Sequence, residues 1–290
     1  MIDELAWRYA MDPDQLVEIP NFVLSDMPLR HADERASGTV LFADDLVERK
    51  RVDLLIEAIW ELPESTRSGL TFSIIGNGPD RDRLEQYARN LNIPAVFEAA
   101  LPHAELMDRM SRCSVFVHAS AFESHPAVVI EAMATGAPVV VADAPGLAGI
   151  VRHCVTGLCV PSEPKAFTHA IEGLPSDAGW REAIGSAACR EALGLYGLEK
   201  IAATEIRSHA RAMQLSCNAG PLDHGRVLWD EGLPAAGTVE AARIWTQIAS
   251  HFAEQMTPEN RDEFLDLVNE LIKQASSSYS DAPCQPRLTG

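Results

Sequence analysis

The chain has 290 residues, 47% of them hydrophobic, and carries a formal net charge of −18. That is enough apolar material for one large buried core with an appendage, and too much for wholesale disorder. The acidity repels phosphate backbones and anionic head groups, and no apolar run reaches the roughly 18–20 residues of a bilayer span, so nucleic acid and direct membrane insertion are both disfavoured.

In chain order, residues 1–37 form a connector of low information. A short helix over Asp3–Tyr9 leads into Leu16–Pro20, which has the composition of a strand, and then into a polar linker. The opening MIDELAWRYAMDPDQLVEIP has no basic start followed by an apolar block, so it does not read as a secretory signal, and a cytoplasmic protein is expected. The six cysteines (Cys113, Cys154, Cys159, Cys189, Cys217 and Cys284) lack metal-type spacing and are expected as reduced thiols, mostly in the core.

From Thr39 two kinds of segment alternate. Short β-branched apolar runs predict strands at Thr39–Ala43, Leu70–Gly76, Ala95–Glu98, Ser114–His118, Pro138–Ala142 and Gly157–Val160. Between them, Val52–Trp60 places Val52, Leu55, Ile56 and Ile59 at spacings of three and four, and Arg81–Leu91 and Ala104–Met110 behave similarly. Strands apolar throughout and separated by helices argue for a parallel sheet covered on both faces. The fold class is therefore α/β, a Rossmann-like doubly wound domain over residues 38–205, with its ligand site beyond the carboxyl ends of the strands. Helices follow at Lys165–Gly173, Gly179–Leu195 and Leu198–Met213, then a Gly/Pro/Asp-rich break at Cys217–Gly237. Periodic stretches at Val239–Gln255 and Pro258–Gln274 complete a helical extension over 206–274, and the Ser/Pro-rich residues 275–290 are expected to be disordered.

The most informative segment is Val115–Ala142, a strand, a short loop, a helix entered through Pro126, and a second strand. Proline suits a first helical turn, and the N–H groups of Ala127 and Val128 then point out of the ligand edge, ready for an anion. Glu123 precedes this helix and Glu131 lies inside it. An ionised carboxylate accepts two hydroxyl hydrogens, so the pair suits a sugar; on spacing alone a capping glutamate and a surface glutamate are the favoured reading, and the flanking strands shift it towards the sugar. Lys50 falls at the start of a helix after the first strand, flanked by Arg49 and Arg51, the most cationic point of an acidic chain. Taken singly, it reads first as a solvated surface lysine; the surrounding pattern favours a functional one.

The stretch Glu123-SHPAVVI-Glu131, followed by AMATGAPVVVAD, resembles the E-x7-E donor signature of retaining GT-B glycosyltransferases of the family 4 type. Ile19–Val23, Leu46–Ala58, Ser73–Glu85 and Gly157–Pro161 resemble further blocks of that family in the same order, over roughly residues 5 to 205. The resemblance implies the C-terminal half of a GT-B fold that binds a nucleotide-diphosphate-sugar. Glu131 would hold the ribose, and Glu123, the candidate catalytic residue, a hydroxyl of the donor sugar. Lys50 would neutralise the diphosphate, and Gly76 and Gly78 would let the backbone pass close to the donor. Ser124 and His125 stand in the turn where the family has glycine and phenylalanine, and His125 would face the sugar. No cofactor and no metal are implied; the nucleotide-sugar is itself the donor substrate.

Three departures accompany the resemblance. Asp44-Asp45 replaces the family's Gly-Arg pair, which swaps an attraction on the diphosphate for a repulsion, with Arg49, Arg51 or a bridging divalent cation as the conceivable compensations. Ser124 is tolerable only if its torsion is not left-handed. The family's N-terminal acceptor domain is missing, so transfer is expected to need a protein partner that supplies that lobe. A non-catalytic binding or scaffold module and a nucleotide-sugar epimerase are the alternatives; the E-x7-E pattern speaks against the epimerase.

Overall fold

The computed structural model describes residues 16–24, 27–28, 38–173 and 178–218. The helices expected at Asp3–Tyr9, Val239–Gln255 and Pro258–Gln274, and the tail 275–290, lie outside the described residues. The chain divides into two compact units, Asn21–Gly197 and a second made of Met1–Pro20 with Leu198–Gly290.

The larger unit holds six parallel strands: β1 (Thr39–Ala43), β2 (Thr71–Ile75), β3 (Ala95–Glu98), β4 (Val115–His118), β5 (Val139–Ala142) and β6 (Leu158–Val160). Their order is β3-β2-β1-β4-β5-β6, every neighbour parallel, so the sheet reverses direction of growth between β1 and β4. The helices are α1 (Val52–Trp60), α2 (Glu64–Arg67), α3 (Arg81–Asn90), α4 (His103–Arg112), α5 (Ala127–Ala134), α6 (Pro164–Gly173) and α7 (Ala178–Tyr196). α8 (Leu198–Asn218) belongs to the second unit.

The expected strands form because runs such as Val115–His118 and Val139–Ala142 are buried at every position. All four periodic residues of α1 (Val52, Leu55, Ile56 and Ile59) are buried, and Thr168 of α6 donates its hydroxyl to the Ala58 carbonyl at 2.9 Å, locking α6 onto α1. Three expectations need correction. Leu16–Pro20 is not a strand: Val17 and Ile19 are exposed, Pro20 has no N–H to give a ladder, and the nearby chain makes only an isolated parallel bridge at Val23–Gly197. β3 is an edge strand with Val96 exposed, so coverage on both faces fails there. Helix α2 has no apolar stripe and was not foreseen.

The carboxyl ends of β1 and β2 are held together past the last ladder rung. Asp44 N–H donates to Ile75 O at 3.1 Å, Leu46 N–H to Asn77 O at 2.8 Å, and Asp80 N–H to Leu46 O at 3.1 Å. The Arg81 guanidinium adds bonds to the carbonyls of Gly76, Phe97 and Glu98, tying β2 to β3. These bonds build one rim of the crevice above the switch point. Among the described residues no helix is long and apolar enough to cross a membrane.

Candidate functional site

A cleft of about 430 Å³ opens at the carboxyl edge of the sheet, over the β1/β4 switch point. Seven of the nine sequence-predicted site residues line it: Lys50, Gly76, Glu123, His125, Ala127, Val128 and Glu131. Ser124 and Gly78 do not. A Cβ on Gly78 would stand 2.2 Å from the Leu46 carbonyl oxygen, so the glycine is required by the backbone of the β1 loop rather than by a ligand. Gly76 lines the cleft, yet its φ of +151° and the Asp44 carbonyl oxygen 1.9 Å from its would-be Cβ give it the same internal reason. Ser124 is not one of the left-handed residues, which among the described non-glycine positions are Arg51, Asn92 and Cys154, so the serine sits there without strain.

Lys50 ends a 3-10 turn (Glu48–Lys50) that Arg51 closes in the left-handed region at φ 52° before α1 begins. That turn is sewn to the loop after β4: Ala121 N–H donates to Arg49 O at 2.9 Å and the Ser120 hydroxyl to the same oxygen at 3.2 Å. The consequence is burial. Lys50 is 3% exposed and Glu123 8%, and the Lys50 Nζ lies 2.7 Å from Glu123 Oε1. The same ammonium is ion-paired with Asp44 Oδ2, and Asp44 accepts in turn from His118 Nε2 at 3.0 Å. Arg49 adds a second cation to Glu123 Oε1 at 3.0 Å.

His118 is fully buried beside Phe42 and Phe116, with ring centroids 5.8 and 6.5 Å away, and its Nδ1 has no partner. A hydrogen on that buried nitrogen would be an unmade bond costing about 1–3 kcal/mol, so the network assigns the shared hydrogen to Nε2, donating to Asp44. Burial alone would raise the Asp44 carboxyl; the hydrogen bonds from His118 and Lys50 and the positive charge beside it outweigh that and hold it at about 2. Glu123 is also held below its ordinary range: burial opposes, while the Lys50 bond, the Ser120 hydroxyl and the Lys50 charge prevail.

Asp44, His118 and Glu123 offer ligand atoms within 4.8 Å of one another, a spacing a metal ion could use. The Lys50 ammonium is already bonded to both of these carboxylates. A metal-binding imidazole also needs an acceptor on its other nitrogen, and His118 Nδ1 has none. The cluster is therefore better described as an internal cation site filled by lysine.

Helix α5 starts one residue later than its proline, with Pro126 as N-cap and no side-chain cap. Val129 and Ile130 N–H close on Pro126 O, whereas the N–H groups of Ala127 and Val128, residues that line the cleft, have no backbone acceptor among the described residues. His125 is fixed by Asn21, whose backbone N–H donates to its Nδ1 at 3.1 Å and whose side-chain amide donates to its carbonyl at 2.6 Å. Below the loop, Glu123 N–H donates to Pro145 O at 3.0 Å. Glu131, which lines the cleft as Leu101, Leu106 and Val128 do, accepts from His103 Nε2 at 3.0 Å.

Residues 30–191 match the family described as glycosyl transferases group 1, more than half of the chain. The chain belongs to the group 1 glycosyl transferases. Its relatives include an uncharacterized glycosyltransferase of Methanocaldococcus jannaschii, 31% identical over 179 residues, 61% of this chain and 45% of that protein. A D-inositol 3-phosphate glycosyltransferase of Streptomyces bingchenggensis is 30% identical over 235 residues, 73% of this chain and 51% of that one. The chain thus spans about half the length of the curated relatives it matches. Among solved structures, sucrose-phosphate synthase from Thermosynechococcus elongatus shares the fold at a TM-score of 0.64 and 23% identity, covering 73% of this chain and 56% of that one. Anabaena HepE, solved in complex with UDP-glucose, does so at 0.55 and 23%, covering 62% and 49%.

Three contacts made by residues that lie behind or beside the cleft lining were not legible in the sequence. His118 was visible only as the end of a strand, and its partner Asp44 lies 74 positions away. His103 opens α4 directly after Pro102, a helix-start signal that does not by itself point to Glu131. Arg49, considered as a replacement clamp for a diphosphate, is instead engaged with Glu123 and the Phe122 carbonyl.

Proposed function

We propose that this chain is the donor-binding half of a sugar transferase: it holds a nucleotide-diphosphate-sugar and, together with an acceptor-binding lobe from a partner chain, transfers the sugar with retention of configuration. The observation that carries this reading is the convergence of the Lys50 ammonium, the unpartnered N–H groups of Ala127 and Val128, and the carboxylates of Glu123 and Glu131 on one cleft. The first three suit a diphosphate, and the carboxylates suit sugar hydroxyls on either side of it. In transfer, the anomeric carbon exchanges a phosphate oxygen for an acceptor oxygen. The helix end and the ammonium stabilise the negative charge that gathers on the departing diphosphate. Glu123, paired with the Lys50 ammonium, is the residue we assign to the reacting sugar.

The resemblance to the family 4 type supports retention, and the described residues build a single rim, which by itself neither positions an acceptor nor excludes water, so transfer calls for an acceptor-binding lobe. A second reading, a binding or scaffold module that no longer transfers, is favoured by one specific observation: Asp44 clasps the lysine that the diphosphate needs. Calorimetry of the purified chain against UDP, GDP, ADP and their sugars separates the two. Binding of one of them, lost in Lys50→Ala and in Glu131→Ala, is the expected result; no heat with any of them would favour the scaffold.

A further inference from the structure

Glu131 does not face the cleft unaccompanied. It sits on α5 one helical turn beyond Ala127, with its side chain 17% exposed, and its Oε1 is 3.0 Å from the Nε2 of His103, the first residue of α4. An ionised carboxylate can only accept, so Nε2 donates. The bond joins two different helices, and its carboxylate lines the same cleft as Lys50, Leu101, Leu106 and Val128. It occupies one carboxylate oxygen; Oε2 has no recorded partner among the described residues.

A glutamate side chain has three rotatable bonds, and ordering each long side chain costs about 1–2 kcal/mol of rotamer freedom. A donor from a neighbouring helix that fixes one oxygen removes most of that cost before a ligand arrives, and it decides which oxygen the ligand meets. We infer that His103 is a positioning residue: it holds Glu131 so that one oxygen, and one only, receives a ribose hydroxyl, and it thereby sets the preference of the cleft for ribose over deoxyribose. The inference rests on the donor-binding reading above and adds to it the residue that sets sugar selectivity at the nucleoside end.

The alternative is that His103, half exposed at 51%, forms a surface pair of negligible worth. Binding of UDP, ADP and GDP, each beside its 2′-deoxy and 3′-deoxy counterparts, tells these apart. The wild-type chain is expected to bind the ribonucleotide about tenfold more tightly than at least one deoxy form, the scale of one hydrogen bond to a charged group. In His103→Ala the ribonucleotide weakens about tenfold while that deoxy form hardly changes, so the preference collapses. His103→Gln, which can still present an N–H, restores it. In a Glu131→Gln background the same His103→Ala change adds nothing, because its effect travels through the carboxylate. A ribose preference unchanged in His103→Ala, or losses that add in the double variant, would overturn the inference and leave the donor-binding reading standing. Wild-type chain that binds no ribonucleotide at all would overturn both, and the two failures are thus distinguishable.

Discussion

Replacing Asp44 by asparagine keeps the shape of the side chain and removes one negative charge from the Lys50 ammonium, so it isolates the electrostatic part of the clasp. Two anions in contact with one ammonium, each oxygen ~2.8 Å from nitrogen and roughly tetrahedral about it, sit ~4.6 Å apart. A unit charge on a ligand phosphate placed there is repelled by Asp44 by about 0.9 kcal/mol in bulk-water dielectric and about 3.6 kcal/mol at the effective value of about 20 that suits a protein cleft. Asp44→Asn is therefore expected to tighten a nucleoside diphosphate by at least about fivefold, and by up to a few hundredfold in the drier limit. Lys50 keeps Glu123 as its partner, so the ammonium stays in place and charged. Titration calorimetry at fixed ionic strength, with the wild-type chain and Lys50→Ala beside the variant, reads the effect. The charge argument is refuted if the folded variant binds no more tightly than wild type.

The same carboxylate makes the fold acid-sensitive. Its folded pKa of about 2 lies below its ordinary 3.8, so its contribution is fully present above pH 4 and fades as pH falls towards 2. The contribution is about 2 kcal/mol, and urea unfolding at pH 6, 4 and 3 should show a loss in wild type that Asp44→Asn, already lower at pH 6, does not share. Gly78→Ala should cost roughly 2–4 kcal/mol of stability, because the new Cβ meets only backbone atoms of Leu46 and cannot be accommodated by a side-chain rotation. Ligand affinity of the folded fraction should stay within about twofold; a selective loss of binding without loss of stability would return Gly78 to the list of ligand contacts.

Most of the sheet was legible because each strand is a β-branched run bounded by turn residues, and the local signal matches what the sheet needs. All six strands lie within a residue or two of expectation, and α1, α3 and α4 follow from their apolar spacing. The carboxylate pair and the helix between β4 and β5 were legible for the same reason, since Glu123 and Glu131 are eight positions apart on one loop–helix unit. What was hidden is what the strand order creates. β1 and β4 are neighbours in space and not in sequence, so Asp44 meets His118, and Lys50 meets Glu123, over separations of 74 and 73 positions. No periodicity reports such a pair. Asp44 and Asp45 therefore read alike in the sequence, although only Asp44 reaches the lysine, while Asp45 gives its backbone N–H to Asp44 Oδ1 at 2.7 Å.

That hidden contact changes what the cleft can be expected to do with a donor. Lys50 and Arg49 face Asp44 and Glu123, two cations against two anions, so the phosphate end is balanced before any ligand enters. A diphosphate cannot draw Lys50 away without leaving a buried carboxylate short of a partner, a loss of roughly 3–5 kcal/mol when complete. It must instead share the ammonium and lean on the Ala127 and Val128 N–H groups. Such a grip is weak, and Asp44 weakens it further for the nucleoside diphosphate left after transfer, whose terminal phosphate carries one more negative charge than it does in the nucleotide-sugar. The part of that repulsion felt alike by bound donor and transition state raises KM, and the part that grows as charge gathers on the diphosphate lowers kcat. Under the donor-binding proposal Asp44 therefore costs both occupancy and rate, but it leaves in place the Lys50 ammonium that the departing diphosphate requires.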